Sequence, residues 1–107
     1  MASMETSLDI DHLLQCVTKY PQIRRICWRS EVVRRVILTA AASGAGERAD
    51  ACDVMDHLAL EDDNQREMWE HADTRLALFK AACGADVSLR ASAVSALGNI
   101  AHTVHEM

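Results

Sequence analysis

Helix breakers are scarce in this chain. It has one proline, Pro21, and four glycines among 107 residues. Long stretches can therefore stay helical without interruption. Aromatic residues are also few, with two tryptophans, one tyrosine and one phenylalanine. No apolar run approaches the roughly 18 residues that a membrane span needs. Met1 to Asp11 is acidic. It lacks the basic-then-apolar order of a secretory signal. The expectation is an intracellular, cytoplasmic protein with no membrane contact. No glycine-rich phosphate loop is present: Gly44-Ala45-Gly46 has neither a preceding strand pattern nor the lysine of such loops.

What is present in quantity is alanine, at 17 positions, in a chain that is 50% hydrophobic by count. Alanine favours helix and lets neighbouring helices approach closely. The length allows one small domain over 1–107. The fold class read from this is all-α: a small bundle of about five helices. Cys16, Cys27, Cys52 and Cys83 are far apart and sit in helical contexts. Without an export signal they read as free, buried thiols and not as disulfides.

Periodicity places the helices. Residues 1–6 read as a frayed end. Ser7 reads as the cap of a first helix whose inner face is Ile10, Leu13, Leu14 and Val17. Pro21 ends it. Residues 21–43 form one kinked helix or two, with Ser30 as a cap for a fresh start. Val32, Val33, Val36, Ile37 and Ala40 form the apolar side. Ser43 to Gly46 is a break. A helix from Glu47 to about Leu60 turns Ala51, Met55, Leu58 and Ala59 inward. After Glu61-Asp62-Asp63-Asn64, a helix from Gln65 to Cys83 is expected to bury Met68, Ala72, Leu76, Phe79 and Cys83. Asp86 caps the last helix, whose inner face is Ala93, Leu97, Ile100, Ala101 and Val104.

Two segments echo one another. Arg48-Ala49-Asp50-Ala51 and Arg90-Ala91-Ser92-Ala93 open similar alanine-rich runs 42 residues apart. At that offset Ala40 aligns with Ala82, Met55 with Leu97, Leu58 with Ile100 and Ala59 with Ala101. A fixed period of this size is a signature of stacked helical units. Asp86-Val87-Ser88-Leu89-Arg90, then Ala93, then Ala96-Leu97-Gly98-Asn99-Ile100 resembles the second helix of a HEAT repeat. The resemblance covers residues 74–102. It implies α-solenoid-like antiparallel helix pairs, with repeat units at 32–60 and 74–102. The first copy departs from the pattern: Glu47 stands at an apolar position, Gly44 at the aspartate and Asp56 at the glycine.

The net charge of −5 hides a bipolar chain. Lys19, Arg24, Arg25, Arg29, Arg34 and Arg35 are six of the eleven basic residues, and only Glu31 lies among them. Ten of the sixteen acids fall between Glu47 and Asp73. Asp50, Asp53 and Asp56 recur every three residues, on one broad helix face.

No catalytic or metal constellation stands out. His102 and His105 are i, i+3 neighbours, but no second ligand pair accompanies them. Cys52 and His57 are poorly spaced for a shared ligand. No local motif joins a cysteine to a base. The expectation is therefore no enzyme, no cofactor and no metal. The function expected is a protein-interaction module: an adaptor, a chaperone-like binder or a regulatory subunit. Its partner is another protein or a second copy of itself. Arg24, Arg25, Trp28, Arg29 and Trp69 are the candidate contacts, since Trp and Arg dominate binding hot spots. The alternative is nucleic-acid binding or transcription regulation through the basic segment 19–35.

Overall fold

Seven α-helices follow one another in a computed structural model, which describes the backbone of residues 9–105 and the side chains of 9–44 and 46–102. The helices are α1 (Ile10–Lys19), α2 (Arg24–Arg29), α3 (Glu31–Ala41), α4 (Ala45–Leu58), α5 (Asp62–Glu70), α6 (Ala72–Ala82) and α7 (Val87–His105). A 3-10 turn at Pro21–Ile23 joins α1 to α2. No strand occurs among the described residues. The expected frayed end at 1–6, the side chain of Val104 and that of His105 lie outside the described residues.

The all-α class holds, and the count rises from about five to seven because two expected helices each contain a break. At both breaks a side chain starts a new helix. Ser30 is extended, and its hydroxyl accepts the amide of Val33. His71 is likewise extended, and its Nδ1 accepts the amide of Thr74. Each break thus satisfies a donor that a new helix start leaves open. The first helix is capped by Asp9, whose carboxylate accepts the amide of His12 at 2.8 Å; Ser7, the expected cap, lies outside the described residues.

The break at His71 resets the helical phase of α6. A single helix through Gln65–Cys83 would bury Leu76, Phe79 and Cys83 with Met68. In the structure α6 instead buries Thr74, Leu78 and Ala81, and leaves Leu76, Phe79, Ala72 and Cys83 exposed. Val32 is also exposed, while Ile37 and Ala40 of α3 are buried. In α4, Ala51, Met55, Leu58 and Ala59 are all buried as expected.

Two successive three-helix units, α2–α3–α4 and α5–α6–α7, share several local features. The Arg34 guanidinium donates to the Trp28 carbonyl at 2.6 Å and lies over the Trp28 indole, 5.3 Å from its centroid. Forty-one residues on, Arg75 donates to the Trp69 carbonyl at 2.6 Å and lies 5.3 Å from that centroid. The middle helices α3 and α6 both have 11 residues. Ile37 and Leu78 are buried counterparts, as are Ala40 and Ala81.

Past the next turn the offset becomes 42. Ala51 pairs with Ala93, Val54 with Ala96, and Leu58 with Ile100, all buried. The change has a simple source. Ala42, Ser43 and Gly44 link α3 to α4, whereas Cys83, Gly84, Ala85 and Asp86 link α6 to α7. At the shorter offset Ala40 and Ala81 are both buried, whereas the offset of 42 sets Ala40 against half-buried Ala82. An arginine spans each link: Arg48 donates to the Ser43 carbonyl and Arg90 to the Gly84 carbonyl.

The third helices of the units run side by side. Ser92 donates to Asp53 at 2.6 Å and Ser95 to Asp56 at 2.9 Å. Both pairs are offset by 39 residues, so α4 and α7 are parallel. On the other flank of α4, Asp11 acts electrostatically on Asp50 near the helix starts, and Thr18 meets His57 near the ends. Hence α1 is parallel to α4 as well. It occupies, against α4, the place that a third helix occupies in the two units. Burying Val17, Met55, Leu58, Met68, Leu78 and Ile100 in the shared core contributes about 1.5–3 kcal/mol each before entropy is counted.

Candidate binding surfaces

The interface between the units uses residues that the sequence suggested as partner contacts. Arg25 reaches from α2 to α5, donating to the Asp63 carbonyl, the Asn64 side chain and the Glu67 carboxylate at 2.9, 3.0 and 2.8 Å. Glu67 also accepts the indole N–H of Trp28 at 3.1 Å. These bonds lower the Glu67 pKa, with Arg25 the largest cause, and raise that of Arg25. Trp28 is buried, edge-on to His71. Arg24 donates to the Val17 carbonyl and so ties α2 back to α1. Of the five candidates, Arg24, Arg25 and Trp28 thus make bonds within the chain, Trp28 buried and the two arginines half-buried. Arg29 remains exposed and Trp69 half-buried, with Phe79 packed edge-on against it at 6.3 Å.

The basic segment 19–35 is partly consumed in the same way. Its Arg24, Arg25 and Arg34 bond within the chain. Lys19, Arg29 and Arg35 are exposed, Arg35 beside Glu31 at 3.7 Å.

Buried polar groups complete the joint. Asn64 is fully buried, yet its amide donates to the carbonyls of Leu58 and Arg24 while its oxygen accepts from Arg25. Gln65 donates to the Ala59 carbonyl. The end of α4 and the start of α5 are thereby fixed against α2. By sequence Asn64 belongs to the polar break before a helix expected from Gln65. In the structure α5 begins at Asp62, and Asn64 points into the joint.

A second surface lies on the outward side of the parallel layer. It carries Asp11 from α1, and Glu47, Asp50 and Asp53 from α4. Burial, together with the charges of Asp11, Asp53 and Glu47, raises the Asp50 pKa above its ordinary value. Like charges therefore crowd one another here. Asp53 and Asp56 spend part of their acceptor capacity on Ser92, Ser95 and Asn99. No family model, no curated protein and no solved structure matches the chain. The surfaces therefore carry the functional argument.

A third feature is an open groove of about 400 Å³ between α3 and α6. Leu38, Ala41, Ala42, Leu76, Ala77 and Ala81 line it, with Arg48, Asp73 and Lys80 at its rim.

The histidines and cysteines do not converge. Among the described residues no group of three or more His, Cys, Asp or Glu side chains could hold a metal. His57 bonds the Asp53 carbonyl, and His71 is a helix cap. All four cysteines are free; Cys52 is buried, Cys16 and Cys27 are half-buried, and Cys83 is exposed, against the expectation of burial. Burial is the largest cause pushing the Cys52 thiol up to about 11.

The paired arginines escaped the sequence reading. The signal was present in Trp28-x5-Arg34 and Trp69-x5-Arg75. It sits at an offset of 41, so a search at 42 passes over it.

Proposed function

We propose that this protein is a non-catalytic interaction module of α-solenoid type, and that the face of α1 and α4 takes a basic segment of a partner protein. The observation that carries the reading is the placing of Asp11, Glu47, Asp50 and Asp53 on the parallel helices α1 and α4, where burial first, and then the charges of the other three, raise the Asp50 pKa. Carboxylates held close together raise the free energy of the unliganded protein. A lysine- or arginine-bearing segment relieves that cost on binding. The duplicated unit supports the solenoid part. A period of 41 to 42 residues fits both HEAT and armadillo repeats, and three helices per unit fit the armadillo variant better than the two-helix HEAT pattern. Four unpaired cysteines are compatible with a cytoplasmic setting. The basic segment is the weaker candidate, because Arg24, Arg25 and Arg34 are bonded within the chain, Arg35 lies beside Glu31 and Lys19 lies over the Tyr20 ring.

Titration calorimetry with a Lys/Arg-rich peptide tests the proposal. Binding that weakens with salt and falls about tenfold in Asp50→Asn/Asp53→Asn is expected. Equal binding of that variant, or no binding of basic peptides at low salt, overturns it.

A further inference from the structure

The joint between the two units shows how an edge of this fold is covered. Arg25 and Trp28 stand one helical turn apart on α2. Together they take both oxygens of one carboxylate: the guanidinium donates to Glu67 Oε2 at 2.8 Å and the indole N–H to Oε1 at 3.1 Å. Arg25 also donates to the Asp63 carbonyl and the Asn64 side chain, so it grips the first turns of the helix that bears Glu67. An acid on the covering helix is thus met by a cation and an indole on the covered one.

The same donors recur on α5. Arg66 and Trp69 have the spacing of Arg25 and Trp28, forty-one residues on. Two pairs of contacts set α2 and α5 in the same register. Arg34 and Arg75 lie over the respective indoles at the same 5.3 Å. Arg24 donates to the Val17 carbonyl near the end of α1, and its counterpart Gln65 to the Ala59 carbonyl at the end of α4. Two residues of helix, about 200° of turn, separate Trp69 from Glu67, so the indole lies on the side of α5 away from α2. Arg66 is exposed and Trp69 half-buried. The Trp28 N–H is spent on Glu67, whereas the Trp69 N–H makes no hydrogen bond among the described residues.

We infer that this Arg66–Trp69 edge takes a helix of another protein that presents a glutamate, in the way the first unit takes α5. The charge suits that occupant: Arg66 and Arg75 attend the indole, and Phe79 packs edge-on beside it. Arg25 serves three acceptors at once, and an arginine in the same place can take a carboxylate beside other partners. Glu70 stands where the first unit has Arg29, one turn from Arg66, and opposes the incoming acid. A second copy is a poor occupant, because its Glu67 is already held by its own Arg25. The edge shares no residue with the α1–α4 acidic face, so it stands or falls separately from basic-peptide binding.

The test is a nitrogen–proton correlation spectrum of the whole chain, with its two indole signals assigned through Trp69→Phe. The probe is a hydrocarbon-stapled helical peptide of alanine and leucine with one glutamate in its second turn, set against the same peptide with glutamine. The glutamate peptide is expected to shift the Trp69 indole signal saturably and to leave the Trp28 signal in place. Glutamine in the peptide, or Arg66→Gln in the protein, weakens binding at least about tenfold. An unmoved Trp28 signal in Arg66→Gln reports an intact joint. Glu70→Gln strengthens binding, and Asp50→Asn/Asp53→Asn leaves it unchanged. A Trp69 signal that stays put at millimolar glutamate peptide overturns the inference. So does equal binding of the two peptides, or equal binding by wild type and Arg66→Gln. A chain that dimerises without peptide and becomes monomeric in Arg66→Gln overturns it as well, since a second copy then holds the edge.

Discussion

Arg25 of the first unit holds Glu67 of the second at 2.8 Å, a charged contact across the joint between the two units. The pair is partly exposed, with side-chain exposures of 29% and 45%, so solvent screens it. Glu67→Gln is expected to cost about 1 kcal/mol at neutral pH. The folded-state pKa of Glu67 lies below its ordinary value. Its stabilisation is therefore complete above the ordinary glutamate range and disappears as pH falls through the lowered value. Denaturant melts of wild type and variant should converge in acid. A gap that persists unchanged at low pH would contradict this.

Asp50 has the opposite sign. Its pKa is raised in the folded protein, so the ionised form destabilises the fold. Asp50→Asn should raise the melting temperature at neutral pH, and the gain should shrink as pH falls and the wild-type carboxyl becomes protonated. A variant that gains stability while losing affinity for basic peptide would show the trade-off expected at a binding surface. A lowered melting temperature at neutral pH would count against the repulsion argued for this face.

Asn64 fills three roles at once in a fully buried position. Asn64→Ala leaves two carbonyls and an arginine without that partner, at a cost of about 2–4 kcal/mol by chemical denaturation. Asn64→Asp should be destabilising as well, because a carboxylate cannot donate to the Leu58 and Arg24 carbonyls. A loss under about half a kilocalorie per mole in both variants would mean that the joint adapts.

The paired arginines give a matched experiment. Arg34→Lys and Arg75→Lys each keep the charge but lose the planar donor that stacks on indole and reaches the carbonyl. Each should cost about 1 kcal/mol. The Arg34 change should cost more, since Trp28 is the more buried of the two indoles. Equal stability of both variants and wild type in denaturant melts would show that the stacked geometry contributes nothing.

Thiol labelling separates the cysteines. Cys83 is exposed and should react first with a disulfide reagent at neutral pH. Cys52 is buried, with its thiol raised to about 11, and should react only on unfolding. Rapid labelling of Cys52 in the native protein would contradict its place in the core.

Much of the fold was legible where one helix kept one phase. The buried faces of α1 and α4 follow from spacing alone. Spacing failed at His71, because nothing in local propensity marks a histidine as a helix start. Its cap depends on Thr74 being free to offer its amide. One missed break then rotated the whole expected face of α6. The repeat was visible through α4 and α7, but a fixed offset hid the tryptophan–arginine half of it. Arg25 and Trp28, expected as partner contacts, both bond Glu67 about 40 positions away in sequence, a pairing that spacing cannot reveal.

The shared direction of α1, α4 and α7 has an electrical consequence. In an up-and-down bundle the peptide dipoles of neighbouring helices cancel. Here three point the same way, so their positive ends gather at one rim. Carboxylates stand at that rim: Asp9 at the start of α1, Glu47 in the first turn of α4, and Asp86, whose side chain accepts the Leu89 amide, at the start of α7. These acids are matched to the backbone itself. The sequence tally of negative charge therefore overstates the field that the rim presents to a passing ion, and Asp50 and Asp53, farther along α4, stand out as the charge that the backbone leaves uncompensated.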